Sequence, residues 1–172
     1  MDFKELMTAR YSVRKLSDRP VSEEQIESIL EAARVAPTAV NKQPFKIFVL
    51  RTPQAIKHAA ECCRFDFIAS AQVVFVIGAK KEEAWVRPSD GHNFAEVDAS
   101  IAATHMMLEI ANLGLGATWV GHFDAEKLKG FFHQTRDYEL ICMFGVGYPA
   151  DDSEPNPRHF QYKDMKDLVE RL

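Results

Sequence analysis

Cysteine is scarce in this 172-residue chain, and the few cysteines show no recognised motif. Cys62, Cys63 and Cys142 include a vicinal pair but no CxxC spacing. They are too few for the disulfide framework of a small secreted scaffold, and such low usage is typical of a reducing compartment. The charged start, residues 1–5 (MDFKE), also differs from the apolar run of a signal peptide. We therefore expect a cytoplasmic protein.

An excess of positive charge and a long apolar run are missing as well. The chain has 21 lysines and arginines against 25 aspartates and glutamates, which gives a net charge of -4. This balance argues against a general binder of nucleic acid or anionic membranes. No apolar stretch is long and clean enough to span a bilayer. Because the length and the 47% hydrophobic content suit one globular unit, we expect residues 1–172 to form a single domain.

Familiar catalytic motifs are also missing. The GLG at 114–116 has Trp119 at the sixth position and follows a predicted helix, whereas a dinucleotide fingerprint follows a strand and opens a helix. The chain has no Walker lysine motif, no HExxH and no GxSxG. We expect no metal site and no catalytic side chain. If the protein is an enzyme, a bound cofactor is expected to supply the difficult chemistry.

Hydrophobic periodicity predicts alternating helices and strands. Helices are predicted over 2–9, from Ser22 to before Pro37, and over 53–63, 94–113, 125–132 and 164–171; strands are predicted over 45–50, 72–79, 117–120 and 140–146. This alternation is typical of an α/β or α+β domain with a mixed sheet. The polar segment 80–93 is expected to be mobile and could cover a site. Within it, Trp85 is either a ligand contact or an anchoring aromatic.

The longest predicted helix, 94–113, is apolar over most of its circumference, so we expect it at the centre of the fold or at a subunit interface. Its polar residues fall on one narrow stripe: Asp98, His105, Glu109 and Asn112. His105 and Glu109 are four residues apart and could share a metal. Without a third nearby ligand, an ordinary helix pair is the better interpretation.

Residues 10–14 (RYSVR) form a cluster of polar side chains near the start of the chain. If the stretch is extended, Arg10, Ser12 and Arg14 share one face and form a donor array suited to a phosphate or carboxylate. If it is helical, the two arginines are like charges stacked four residues apart. Taken alone, the cluster is explained better by solvated arginines at an element boundary.

Residues 36–45 (APTAVNKQPF) connect a predicted helix to a predicted strand. Two prolines frame small residues, one Asn and one Gln. Such a rigid loop can present amide donors and backbone groups to a planar heterocycle, or it can be a connector shaped only by proline. Spacing alone does not separate these two interpretations.

Four short motifs occur in order along the chain: RxSxR at 10–14, APTAxNxQPF at 36–45, GLGAxWVGxF at 114–123 and GYP at 147–149. In order and approximate spacing they resemble the nitroreductase family of FMN enzymes. The resemblance implies an α+β fold with a central mixed sheet wrapped by helices. It also implies an intertwined homodimer with two FMN sites at the interface.

The activity implied by the resemblance is that of an FMN-dependent oxidoreductase. NAD(P)H would reduce the flavin, and a small-molecule acceptor such as a nitroaromatic or a quinone would then take the electrons in a ping-pong mechanism. A specialised flavin dehydrogenase or dehalogenase acting on one metabolite, and a flavin-binding dimer without turnover, remain alternatives. We expect neither nucleic acid nor membrane as a partner.

The resemblance also assigns cofactor-binding residues. The implied FMN contacts are Arg10, Tyr11, Ser12, Arg14, Pro37, Thr38, Ala39, Asn41, Gln43, Trp119, Val120, Gly121 and Arg158. The arginines and Ser12 would hold the phosphate and ribityl end, while the residues between 37 and 41 would come from the partner subunit. Backbone groups at 120 and 121 would lie beside the reactive flavin nitrogen. Tyr162 stands where family members often carry an arginine, so the third cation would come from Arg158, from Lys163 or from no residue.

Overall fold

The computed structural model describes residues 2–172. Its helices are α1 (Phe3–Ala9), α2 (Glu23–Arg34), α3 (Pro53–Glu61), α4 (Ala95–Asn112), α5 (Ala125–Phe131) and α6 (Met165–Leu168), and its strands are β1 (Phe45–Leu50), β2 (Val73–Ala79), β3 (Trp119–Val120) and β4 (Glu139–Val146). The α+β class is confirmed. No helix within the described range combines the length and apolar character needed to cross a membrane.

The sheet has the strand order β1-β2-β4-β3, and each of these neighbouring pairs is antiparallel rather than part of the predicted mixed sheet. Leu50, at the end of β1, pairs with Val74 at the start of β2. After α3, strand β2 therefore starts at the same end of the sheet at which β1 ends. A parallel strand would instead start at the opposite end. Within residues 2–172, the one parallel pairing is an isolated bridge between Ser12 and Ala117.

Strand β2 is buried along its whole length, as its nearly unbroken apolar run predicts. Its alternate residues enter two different clusters. Val73, Phe75 and Ile77 pack with α2 and α4 on one face. Val74 and Val76 pack with α3 and α5 on the other. The sheet is therefore covered by helices on both faces.

Helix starts follow the local sequence signals. The predicted capping box of α2 is formed: Ser22 Oγ accepts from the Gln25 N–H, and Gln25 Oε1 accepts from the Ser22 N–H. The final helix is shorter than the predicted 164–171 because it is a single turn, and Met165 and Leu168 are 68% and 62% exposed. Because these apolar side chains do not pack on the rest of the chain, no burial stabilises a longer helix here.

Helix α4 lies centrally against the sheet, with Ala99, Ala102 and Met106 fully buried. Glu109 accepts hydrogen bonds from Ser28 Oγ at 2.7 Å and from Asn112 Nδ2 at 3.1 Å. These contacts give Glu109 the ordinary role of a polar residue at a helix–helix contact rather than that of a metal ligand.

Segment 80–93 folds back on itself immediately before α4. The Arg87 N–H donates to the His92 carbonyl at 2.9 Å, and the Phe94 N–H donates to the Trp85 carbonyl at 3.0 Å. The rings of Trp85 and Phe94 meet edge to face at 5.1 Å. Trp85 is therefore an anchoring aromatic within this turn.

Candidate functional site

Residues 10–14 are extended, so the helical alternative is excluded. Helix α1 ends at Ala9, and Ser12 forms its bridge with Ala117. The Val13 N–H donates to the Ala117 carbonyl at 3.1 Å, and Thr118 Oγ1 donates to the Val13 carbonyl at 2.7 Å. Val13 is buried, and the polar side chains at 10, 12 and 14 share the opposite side.

Three of the four sequence motifs converge around this stretch. Residues 12 and 13 lie beside Ala117, while Gly116 and Gly147 form an antiparallel bridge. The Gly116 N–H donates to the Gly147 carbonyl at 2.8 Å. The motifs at 10–14, 114–123 and 147–149 are therefore one connected surface, although more than 100 residues separate the first from the last.

The polar side chains of residues 10–14 line a cavity of about 370 Å³. Its lining comprises Arg10, Ser12, Arg14, Asn156, Arg158, His159, Gln161 and Tyr162. The lining thus includes three arginines and two hydroxyl-bearing residues and no Asp or Glu. A second cavity that shares Ser12 and Arg14 is lined by Asp152 and Glu154. Within residues 2–172, none of these arginines forms an ion pair. This donor set suits a phosphate, because guanidinium forks match its oxygens.

Arg158 reaches the cavity because the chain after β4 is fixed against α1. The 3-10 turn Pro157–Phe160 begins at Asn156, whose Oδ1 accepts from the Arg158 N–H at 3.0 Å. His159 Nε2 lies 3.2 Å from the Thr8 carbonyl. Of the two residues considered for the third cation, Arg158 lines the cavity and Lys163 does not.

Two other side chains near the cavity are already engaged within the chain. The Tyr11 hydroxyl lies 3.1 Å from both the Ser153 carbonyl and Ser153 Oγ, and Tyr11 does not line the cavity. Lys15 pairs with Asp152 at 2.6 Å. Hydrogen bonding to Lys15 holds the pKa of Asp152 below its usual value, and the same bond raises the pKa of Lys15. The cations without such a partner are the arginines.

Residues 38–43 form a tight loop with an unusual backbone. Val40, Asn41 and Gln43 have positive φ values of 45°, 56° and 51°. A left-handed conformation is unfavourable for residues other than glycine, and most of all for a β-branched one, so such a cluster marks a strained segment. Gln43 Nε2 donates to Asn41 Oδ1 at 3.0 Å, and the Gln43 N–H donates to Thr38 Oγ1 at 3.0 Å. No residue of this loop lines the arginine cavity.

Strand β3 places the residues of the third motif. Trp119 is half-buried and packs edge to face on Phe144 at 5.5 Å. The Val120 side chain is buried in the core, whereas Gly121 is exposed. Val120 can therefore offer a ligand only its backbone.

Comparison with known proteins identifies the family. The model described as the nitroreductase family matches residues 7–64 and 53–148. The chain belongs to the nitroreductase family. An Archaeoglobus fulgidus relative, provisionally named NADH dehydrogenase/NAD(P)H nitroreductase, is 32% identical over 160 residues, covering 87% of this chain and 86% of its own.

Solved structures of the nitroreductase family share this fold. A family member from Clostridium difficile 630 has a TM-score of 0.89 and 32% identity, covering 99% of this chain and 98% of its own. A Desulfovibrio desulfuricans protein solved in complex with FMN has a TM-score of 0.81 at 23% identity, covering 98% and 95%. The nitroreductase-like fold predicted from the motifs is therefore confirmed.

Sequence reasoning missed several residues around this nitroreductase-family site. Asn156, His159 and Gln161 line the arginine cavity, and only the turn-forming Asn156–Pro157 pair gave a local signal. Asp98 was assigned to the polar stripe of α4, but it is 1% exposed and accepts from the Ala39 N–H at 2.8 Å. The stripe did not predict this burial, because the Ala39 contact comes from a loop that is distant in sequence.

Proposed function

We propose that the chain is an FMN-dependent oxidoreductase that passes electrons from NAD(P)H to a nitroaromatic, quinone or similar acceptor. The observation that carries the proposal is the arginine cavity, whose lining includes Arg10, Ser12, Arg14 and Arg158 and no Asp or Glu. Membership of the nitroreductase family supports it. When bound, FMN supplies the chemistry of hydride acceptance and electron transfer.

The arginine cavity fits the phosphate end of FMN. A phosphate monoester carries nearly two negative charges at neutral pH and offers three strong acceptor oxygens. The guanidinium groups of Arg10, Arg14 and Arg158 donate to those oxygens, and Ser12 adds a hydroxyl. Because Lys15 is already paired with Asp152, the proposal assigns it no phosphate contact.

The ring end of the site takes backbone and amide groups. Residues 117 and 118 contact residues 12 and 13 and lead directly into β3, so the proposal assigns the backbone at Val120 and Gly121 to the ring end of the site. An N–H in that place stabilises negative charge on the ring. The remaining ring contacts are assigned to Pro37, Thr38, Ala39, Asn41 and Gln43.

We infer that the loop carrying those contacts comes from the partner subunit of a homodimer. Support for this assignment comes from the family membership of the chain, since the nitroreductase resemblance implies FMN sites at a homodimer interface. Apolar side chains that a second copy would cover are exposed on α1 and on the residues after β4, with Phe3 at 65% and Phe160 at 67%. One site shared in turn by donor and acceptor implies ping-pong kinetics.

The test is the absorbance spectrum of the purified protein, followed by turnover. We expect oxidised-flavin absorbance, or its appearance when FMN is added to flavin-free protein, and its bleaching by NADH or NADPH under anaerobic conditions. Quinones and nitroaromatics should then restore the absorbance catalytically. Absence of FMN binding contradicts the proposal. If FMN binds and is bleached by NADH or NADPH but almost no acceptor in the panel supports turnover, the result would instead favour a specialised flavin enzyme.

A further inference from the structure

Helix α4 carries a buried carboxyl group in its first turn. Asp98 is 1% exposed, and its Oδ1 accepts from the Ala39 N–H at 2.8 Å. Within residues 2–172, its second oxygen, Oδ2, is buried without a hydrogen-bond partner. A buried acid with only one of its oxygens hydrogen-bonded is costly and needs a reason.

Part of that cost is offset by the helix itself. The N-terminal turn of a helix presents unpaired N–H groups and the positive end of the helix dipole, which favour an acidic side chain there. This explains why the fold tolerates the Asp98 carboxyl group, but not why the position holds one. An alanine at 98 would avoid the desolvation entirely. The specific contact that the carboxyl group makes is with Ala39.

Ala39 belongs to the strained 38–43 loop. In this loop Val40, Asn41 and Gln43 adopt left-handed φ values, which persist only when surrounding contacts hold them. Most hydrogen bonds of the loop are internal or to the next residues along the chain. Within residues 2–172, the bond from Ala39 to Asp98 is the one that ties the loop to a distant element.

We propose that Asp98 is a positioning residue that holds the 38–43 loop in its cofactor-binding shape. The inference rests on the proposed function, in which this loop contacts the FMN ring. Fixing the Ala39 N–H sets the start of the left-handed turn that displays Asn41 and Gln43. Since Gln43 Nε2 donates to Asn41 Oδ1, the Asn41 amide N–H groups and Gln43 Oε1 are left for a ligand. Asp98 acts through the loop and makes no contact with the cofactor.

A double-mutant cycle across the hydrogen bond tests this proposal. Asp98→Ala removes the acceptor. Ala39→Pro removes the donor and suits the backbone, because Ala39 is the first residue of a 3-10 turn and Thr38 is extended. We expect each variant to raise the Kd for FMN roughly tenfold, the scale of losing one hydrogen bond of a buried group. Because Ala39 is itself an assigned ring contact, Ala39→Pro can lose more than this one bond. The double variant should be no weaker than Ala39→Pro alone, since removal of the acceptor costs nothing further once the donor is gone.

Two further variants separate positioning from general stability. Asp98→Asn keeps an oxygen that can accept from Ala39, so its Kd for FMN should stay within about twofold of the wild type. Met106→Ala truncates a fully buried side chain eight residues further along the same helix. It should lower the unfolding midpoint and leave the Kd for FMN unchanged. Additive effects of Asp98→Ala and Ala39→Pro, or an equal loss of affinity in Met106→Ala, would overturn the proposal.

The Ala39 amide provides a readout that does not depend on flavin. In flavin-free protein, we expect hydrogen exchange of this amide to be slow in the wild type and fast in Asp98→Ala. If the wild type binds no FMN, the proposed function fails, yet loss of protection in Asp98→Ala still supports the hold of Asp98 on the loop. If the Ala39 amide exchanges equally slowly in Asp98→Ala, Asp98 does not hold the loop, whether or not the protein binds FMN. If Asp98→Ala does not fold, Ala39→Pro and Asp98→Asn supply the comparison of FMN affinity.

Discussion

At the scale of single residues, the arginine cavity makes a direct prediction for Arg14. Its guanidinium group lines the cavity beside Ser12 and forms no ion pair within the described chain. Arg14→Ala should therefore weaken FMN binding by about 1.5–3 kcal/mol, the range of a charge-assisted hydrogen bond. Fluorescence titration of flavin-free protein with FMN measures the change. Wild-type affinity in a folded variant would mean that Arg14 is merely solvated.

Arg158 and Lys163 form a matched pair for identifying the third cation. Both carry positive charge on the chain that follows β4, but only Arg158 lines the cavity. Arg158→Ala should weaken FMN binding by about 1–3 kcal/mol, whereas Lys163→Ala should change it by less than about 0.5 kcal/mol. The same FMN titration decides between them. Equal losses in the two variants would point to a general effect of charge instead of a specific contact.

Cys63 should be unreactive despite its vicinal partner. Burial raises the pKa of the Cys63 thiol to about 11. The reactive thiolate is therefore a minor species at neutral pH and increases as the pH rises toward 11. Alkylation of the folded protein by iodoacetamide should be slow at pH 7 and faster at pH 10, with full reaction after denaturation. Rapid labelling at pH 7 would contradict this burial.

At the scale of elements, the 10–14 stretch approaches the backbone just before β3 very closely, at residues 13 and 116. A Cβ added at Gly116 would lie 2.7 Å from the Val13 Cβ, whereas a Cβ at Gly130 in α5 would meet nothing within 4 Å. Gly116→Ala must therefore push the two segments apart, but Gly130→Ala fills open space.

These two glycines give a matched prediction for stability. Gly116→Ala should lower the free energy of unfolding by about 1–3 kcal/mol through overpacking, and it should weaken FMN binding as well. Gly130→Ala should raise the free energy of unfolding by up to about 1 kcal/mol, because alanine is the better helix former. Denaturant unfolding of both variants measures these changes. A neutral Gly116→Ala would show that the contact can relax without loss.

At the scale of the whole molecule, the proposed site needs two chains. The arginine cavity belongs to one subunit, and the 38–43 loop that completes the ring site is assigned to its partner. Mixed dimers can test this division. Arg14→Ala and Asn41→Ala homodimers should each bind FMN weakly. A heterodimer of the two variants should regain one intact site, since Arg14 of one chain meets Asn41 of the other.

The stoichiometry of tight binding is the measurement for these mixed dimers. The heterodimer is separated by two different affinity tags and titrated with FMN. We expect one tight site per heterodimer and none in either homodimeric variant. If the 38–43 loop and the arginines of one chain formed the same site, the heterodimer would have two defective sites and no tight one.

The sequence by itself predicted the elements whose signals lie close together along the chain. The capping box from Ser22 to Gln25 fixed the start of α2, and the unbroken apolar run of β2 predicted a strand buried on both faces. Such features depend on hydrogen bonds and side-chain periods within a few residues, so they can be read without knowing the fold. The four motifs gave the family by the same kind of local pattern.

Tertiary packing decided what the local pattern left open. Ser12 and Val13 are extended where they pair with Ala117, and Arg158 lines the same cavity as Arg14 although 144 residues separate them. Asp98 lies on the polar stripe of its helix but is buried, where it accepts a hydrogen bond from a loop 59 residues away in sequence. These outcomes depend on contacts between segments far apart in sequence, whose energies arise only once the chain is packed.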